Sequence, residues 1–288
     1  MKLRERLLGA LSFRERPLKT VWQVERDGLI HHLVGTAHHF PYRFTRSIET
    51  LLGRGKRAYF EGPLDPDSMN RVVALGSRGA GSASLYDALD EAVIRKIKEK
   101  TGSRFREAER PEFMPIDLSE SREDDPLYEH FRSLRPWMAF FSLWNDYLRE
   151  KGWRYSVDMD AWETAGRMGK EIRYLETIEE QVAAMEKIPV ERIVDFLRHV
   201  SSWNEYAKAH RDAYLSGRIE HILSQGRLFP SRCPAIVQDR DPVMFERLLP
   251  SLSEEATIAF VGTVHVVGLS KRLEALGYRV EQVGEAEG

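Results

Sequence analysis

Apolar positions along this chain follow two different periods, and the change from one to the other sketches the fold. Short continuous or alternating apolar runs, the mark of strands, occur at 21–24, 29–35, 56–61, 171–175, 257–262 and 278–283. Between them, apolar residues recur every three or four positions. That spacing predicts helices over about 45–52, 84–100, 136–150, 157–167, 177–188, 190–200, 202–225 and 269–276. Local signals punctuate the pattern. Asp27-Gly28 separates two strands by the two residues of a tight hairpin. Gly53 closes a helix and Gly62-Pro63 closes a strand. Ser84 with Asp87 reads as a cap opening a helix, Thr177 and Glu180 form a capping box, and Asp241-Pro242 starts a helix with proline in first position.

The two ends of the chain alternate strand and helix, whereas the middle is mainly helical. This predicts an α/β fold with a central mixed, mostly parallel sheet and flanking helices. A single domain spans 1–288, with a core of about 20–65 and 235–284 interrupted by a largely helical insertion over about 84–230. Trp137, Phe140, Phe141, Trp144 and Tyr147 recur at helical spacing and read as core. Residues 1–12 fit a short basic amphipathic helix, 76–84 (GSRGAGSAS) a flexible connection and 120–125 an acidic loop.

One octet occurs twice, near opposite ends: HHLVGTAH at 31–38 and IAFVGTVH at 258–265. Composition predicts only about 0.02 copies of G-T-x-H, so the recurrence carries information. Each copy reads as a strand buried on both faces, then a glycine that lets backbone or ligand come close, then a histidine beyond the strand end. This makes two β–GTxH–α–β quasi-repeats, with Gly35, Thr36, Gly262 and Thr263 as supporting residues. Ligands of open α/β sheets bind outside the carboxyl ends of the strands. Adjacent strands would therefore aim His38 and His265 into one crevice. The alternative is two unrelated strand-end histidines bonded to loops. Glu61 ends the following strand and shares that edge if the strands are parallel neighbours. Consecutive extended residues face opposite ways, so His38 rather than His39 is expected at the site.

Three further residues are candidates. Asp158 or Asp160 begins the helix over 157–167, where either is equally a cap. Glu176 stands at a strand end and the capping box does not account for it. Arg240 precedes a helix start and can face the crevice. His199, His210 and His221 stand too far apart along their helices to form a metal cluster.

A net charge of −2 and a pI near 6.5 leave no footprint for nucleic acid. Cys233 is the single cysteine, which excludes an intrachain disulfide and a cysteine-rich zinc site. The apolar patch within the first 20 residues is too short and too charged on both sides for a secretory signal. The run over 137–144 falls short of a membrane span. A cytoplasmic protein without stable membrane insertion is expected, and a homo-oligomer is left open.

The motifs GTAH (35–38), YFEGPLD (59–65), VDMDAWETA (157–165), RYLETIEEQ (173–181), Arg240 in QDRDPVMFERL (238–248) and GTVH (262–265) occur in this order. The series resembles the TraB/PrgY/GumN family, which includes the Tiki metalloproteases, from about Trp22 to Val283. The resemblance implies a sheet core with a helical insertion, related to the ChaN-like and erythromycin-esterase-like folds. Some members of the family are divalent-metal-dependent peptidases. By motif match the functional positions are His38, Glu61, Arg240 and His265. The family commonly has Arg-Asn where this chain has Arg240-Asp241. Many members are secreted or membrane-anchored; this chain shows neither feature, so an extracellular Tiki-like substrate is not expected.

The expected function is metal-dependent hydrolysis of an amide or ester in a peptide or small-molecule substrate. His38, Glu61 and His265 would hold a divalent ion (Mn, Co or Zn), leaving coordination positions for water activation. Arg240 would stabilise the oxyanion. Two alternatives use the same crevice: a non-catalytic regulator binding haem, peptide or metal, and a metal-free hydrolase with a histidine base oriented by Glu61.

Overall fold

A computed structural model of the protein describes residues 15–77, 84–101 and 125–284. The helix expected over 1–12, and most of the segments 76–84 and 120–125, lie outside these residues. The strands are β1 (Val21–Arg26), β2 (Leu29–Thr36), β3 (Arg57–Phe60), β4 (Glu171–Tyr174), β5 (Thr257–Gly262) and β6 (Arg279–Gln282). The first helices are α1 (Thr45–Gly53), α2 (Pro66–Gly76), α3 (Glu91–Lys100), α4 (Pro126–Ser133), α5 (Pro136–Glu150) and α6 (Val157–Arg167). After them come α7 (Ile178–Met185), α8 (Val190–Arg198), α9 (Trp203–Ser216), α10 (Ile219–Gln225), α11 (Asp241–Leu248) and α12 (Thr263–Ala275).

The strands form one six-stranded sheet in the order β4-β3-β5-β2-β1-β6. β1 runs antiparallel to its neighbours β2 and β6, while the β2–β5, β5–β3 and β3–β4 pairs are parallel. The sheet is therefore mixed and mostly parallel, as the patterning predicts. Asp27 and Gly28 turn the β1–β2 hairpin with φ of 52° and 81°, the two positive values of the turn that matches strand twist. β2 and β3 are parallel but are not neighbours, because β5 lies between them. Hydrophobicity explains the order. Ile258 to Val261 are buried on both faces and so take the centre. The charged sequences EIRY and RVEQ take the two edges, where unpaired backbone meets water. β4 comes from the middle of the chain, so that region supplies an edge strand as well as helices.

Alternation along the strands divides the core between the two faces of the sheet. Val34, Phe60 and Phe260 point toward α1 and the aromatic helices, with the Phe60 and Phe260 rings stacked at 5.3 Å. Leu33, Tyr59, Ala259 and Val261 point the other way, under α11 and α12. The α5 stripe is core: Trp137, Phe140, Trp144 and Tyr147 are buried, and Trp144 meets Phe196, Trp203 and Phe229.

Three helix limits differ from the patterning. The segment from Ser84 forms a 3₁₀ turn, Leu85–Ala88, and a new helix, α3, starts with Asp90 as its own cap. The long helix expected over 202–225 breaks at Gly217, whose φ is 72°. α12 begins at Thr263, because the chain passes straight from β5 into the helix. Among the described residues, no helix is long and apolar enough to cross a membrane.

β2 carries a buried pair, His31 and His32, away from the carboxyl edge. Burial first, then Arg54 and His31, hold the His32 pKa down to about 4, from an ordinary 6.5. The unfolded chain thus takes up a proton from pH 6.5 downward that the native protein refuses until about pH 4. Stability should be full above pH 6.5 and fall across that window, by about 2–3 kcal/mol for His32 alone. Urea unfolding of wild type and His32→Asn between pH 7 and 4 checks this: the substitution should flatten the decline, and parallel curves would refute it.

Candidate functional site

Four parallel strands end together, and the residues just beyond their ends define the site. β2 pairs with β5 through Thr36 and Gly262, and β3 pairs with both β4 and β5 up to Phe60. Glu61 and Glu176 lie just past β3 and β4. His38 lies just past β2. His265 is in the first turn of α12, directly after β5. The first turns of α6 and α11 add Asp158 and the Arg240-Asp241 pair.

The Gly-Thr pairs build this edge. The Gly35 carbonyl accepts from the Thr20 and Tyr214 hydroxyls, both at 2.7 Å. A Cβ on Gly35 would stand 3.1 Å from Thr263 Oγ1, tighter than ordinary contact, so the glycine lets α12 pack closely. Thr263 Oγ1 donates to the Thr36 carbonyl at 2.9 Å. One motif's threonine therefore ties the start of α12 to the end of the other motif's strand.

At the centre, Arg240 joins two carboxylates. Its Nε donates to Glu176 at 2.9 and 3.1 Å, and its Nη2 bonds both Glu176 and, at 3.0 Å, Glu61. All three side chains are largely removed from water. Burial opposes the guanidinium charge, but Glu61 and Glu176 outweigh it and raise the Arg240 pKa. Burial likewise pushes Glu61 upward, but the Arg240 guanidinium, His38 and the Gly262 N–H outweigh it and hold its carboxyl below the ordinary range. Glu61 is thus a carboxylate with both oxygens engaged, Oε1 by Gly262 N–H and Oε2 by Arg240.

Both motif histidines are held by carboxylates. His265 is 1% exposed, with Nδ1 2.7 Å from Asp241 Oδ1 and Nε2 3.4 Å from Arg240 Nη1 and 3.8 Å from Glu61 Oε1. His38 has 71% of its side chain exposed, with Nδ1 2.5 Å from Asp158 Oδ2. The Asp158 charge beside it raises the His38 pKa to about 9, and Glu61 adds to the rise. Asp158 itself is held at about 2: burial would raise it, but His38 and Ser156 prevail.

These contacts assign several open positions. Ser156 caps α6, so Asp158 is not the cap but the partner of His38. Asp160 is raised by burial and faces Arg43 and Glu163. His39 senses Arg149 and Asp146 besides His38 and Asp158, and burial lowers it to about 4. His199 and His221 are exposed, and His210 sits beside Arg232. Among the described residues, no three His, Cys, Asp or Glu side chains stand ready-made around a metal position. The donors gathered at the edge nevertheless fit an ion in kind: metal-ligating histidines characteristically have their second nitrogen bonded to a carboxylate or carbonyl. Asp241 is the residue that the patterning misses, because it reads there only as a helix start. The signal for it is the acid beside Arg240 together with Gly268, three residues after His265.

An open α/β sheet whose carboxyl edge gathers two histidines, two glutamates and an arginine defines the class. The sequence profile of the TraB/PrgY/gumN family matches residues 20–282, and the chain belongs to that family. No curated protein matches it.

Removing Glu176 leaves the buried Arg240 short of its main partner. Glu176→Ala should cost about 3 kcal/mol or more in urea unfolding. Glu179→Ala, which breaks the exposed pair with Arg71, should cost about 1 kcal/mol or less. Equal losses would show that the buried pair is not a structural keystone.

Proposed function

We propose that the protein is a metal-dependent hydrolase acting on amide or ester bonds, with peptides as the leading substrate class. The observation that carries this reading is the pair of imidazoles, each bonded through Nδ1 to an aspartate, at an edge that also holds Glu61. His38 and His265 through Nε2, and Glu61 through its carboxylate, would hold the ion. This nitrogen and oxygen donor set suits Mn²⁺, Co²⁺ or Zn²⁺. A divalent ion, when bound, supplies Lewis acidity that activates water and polarises the scissile carbonyl. Arg240, fixed by Glu176, offers a preorganised positive charge to an oxyanion in a site poor in water. Asp158 and Asp241 orient the imidazoles. A cleft of about 560 Å³, lined by Asp67, Arg71, Tyr174, Thr177 and Arg247, opens beside Glu176.

One observation favours a metal-free variant of this chemistry. Both Glu61 oxygens are already engaged, and Arg240 stands 3.4 Å from His265 Nε2, so a cation already faces these donors. In that variant His265 is the general base.

A peptide-library digest with Mn²⁺, Co²⁺ or Zn²⁺, with chelator, and with Glu61→Gln separates the readings. Cleavage should require the ion and drop about 100-fold or more in Glu61→Gln. Cleavage that survives chelation supports the metal-free variant, and tight ligand binding without turnover supports a regulator. Metal titrations should show His38→Ala losing affinity while His39→Ala keeps it; equal losses would remove His38 from the ligand set.

A further inference from the structure

The two nitrogens of His265 face groups of opposite and fixed hydrogen-bonding character. Nδ1 lies 2.7 Å from Asp241 Oδ1. A carboxylate oxygen can accept there, so a proton on Nδ1 completes that bond. Nε2 lies 3.4 Å from Arg240 Nη1, and a guanidinium only donates. Nε2 also has Glu61 Oε1 nearby, at 3.8 Å, beyond hydrogen-bond range and already accepting from Gly262 N–H. With the ring 1% exposed, bulk water does not offer an alternative partner. We propose that Asp241 is a positioning residue that fixes His265 as the Nδ1–H tautomer and turns the Nε2 lone pair into the crevice.

The backbone of α12 is shaped for this contact. A Cβ built on Gly268 would stand 1.7 Å from Asp241 Oδ2, so the carboxylate lies flush against the helix one turn beyond His265. Any side chain at 268 must push Asp241 away. Gly268 is therefore part of the same device. Tautomer fixation holds whether or not the protein is a hydrolase. Its consequence for metal binding, a lone pair aimed before an ion arrives, rests on the reading given above.

The test is nitrogen-15 NMR of the full chain labelled at histidine, at neutral pH, with His265 assigned by its loss in His265→Gln. Wild type should show Nδ1 pyrrole-like and Nε2 pyridine-like. Asp241→Asn, whose amide can donate as well as accept, should give mixed or reversed tautomers, and Gly268→Ala should shift the ring in the same sense. Unchanged signals from His31 and His32, which lie away from this edge on β2, certify the fold of each variant. A wild-type spectrum with the proton on Nε2, or on both nitrogens, overturns the proposal without any variant. So does an Asp241→Asn spectrum identical to wild type. In parallel, Zn²⁺ competition against a chelator should show affinity falling about 10–100-fold in Asp241→Asn. If wild type binds no Zn²⁺ while the tautomer is as stated, the metal reading fails and the positioning role stands.

Discussion

The carboxyl edge of this sheet is organised by one buried cation. Arg240 comes from the start of α11 and meets Glu176 beyond β4 and Glu61 beyond β3. A guanidinium out of water is tolerated only when its donors are met by charge of opposite sign. Two carboxylates serve that need, and the guanidinium in return helps to offset the burial that pushes the Glu61 pKa upward. The triad joins β3, β4 and α11, and through Gly262 N–H it reaches the end of β5, where α12 begins. The positions of Glu61 and His265 relative to each other depend on it.

Much of this was legible in the sequence, for reasons that can be stated residue by residue. The hairpin at Asp27-Gly28 is legible because two positive φ values leave few choices of residue. Thr177 and Glu180 announce α7 because their side chains reciprocally satisfy the backbone at its start. The burial of β5 is legible from Ile258 to Val261, but not its seat between β2 and β3. Periodicity assigns faces, whereas neighbours depend on which strand can bear burial on both sides. At the site, strand-end placement identifies His38, Glu61, Glu176 and His265. Their partners are hidden, because Asp158 and Asp241 sit where helix starts normally place acids for local reasons. Only the packed structure turns these acids toward imidazoles.

The repeated motif has not produced equivalent sites. β2 ends within the first motif, at Thr36, the chain continues as a loop, and His38 stays largely open to solvent. After β5, GTVH is drawn into a helix and His265 is sealed beneath it. The residues downstream of each copy make the difference: Phe40 and Pro41 interrupt the first, whereas Val266, Val267 and Gly268 continue the second. Two copies of one short motif thus yield one histidine that meets solvent and one that answers to protein groups.

The central position of β5 also sets a schedule for folding. β2 and β3 are not paired with each other, and β5, made of residues 257–262, bridges them. A nascent chain can form the β1–β2 hairpin and many of its helices early, since those contacts are local. The sheet stays split, with two apolar strand edges exposed, until β5 has been synthesised and threads between them. Such unpaired edges invite association with other chains. Glu61 and His38 come to share one edge at that last step, so the crevice is assembled only when the vulnerable interval ends.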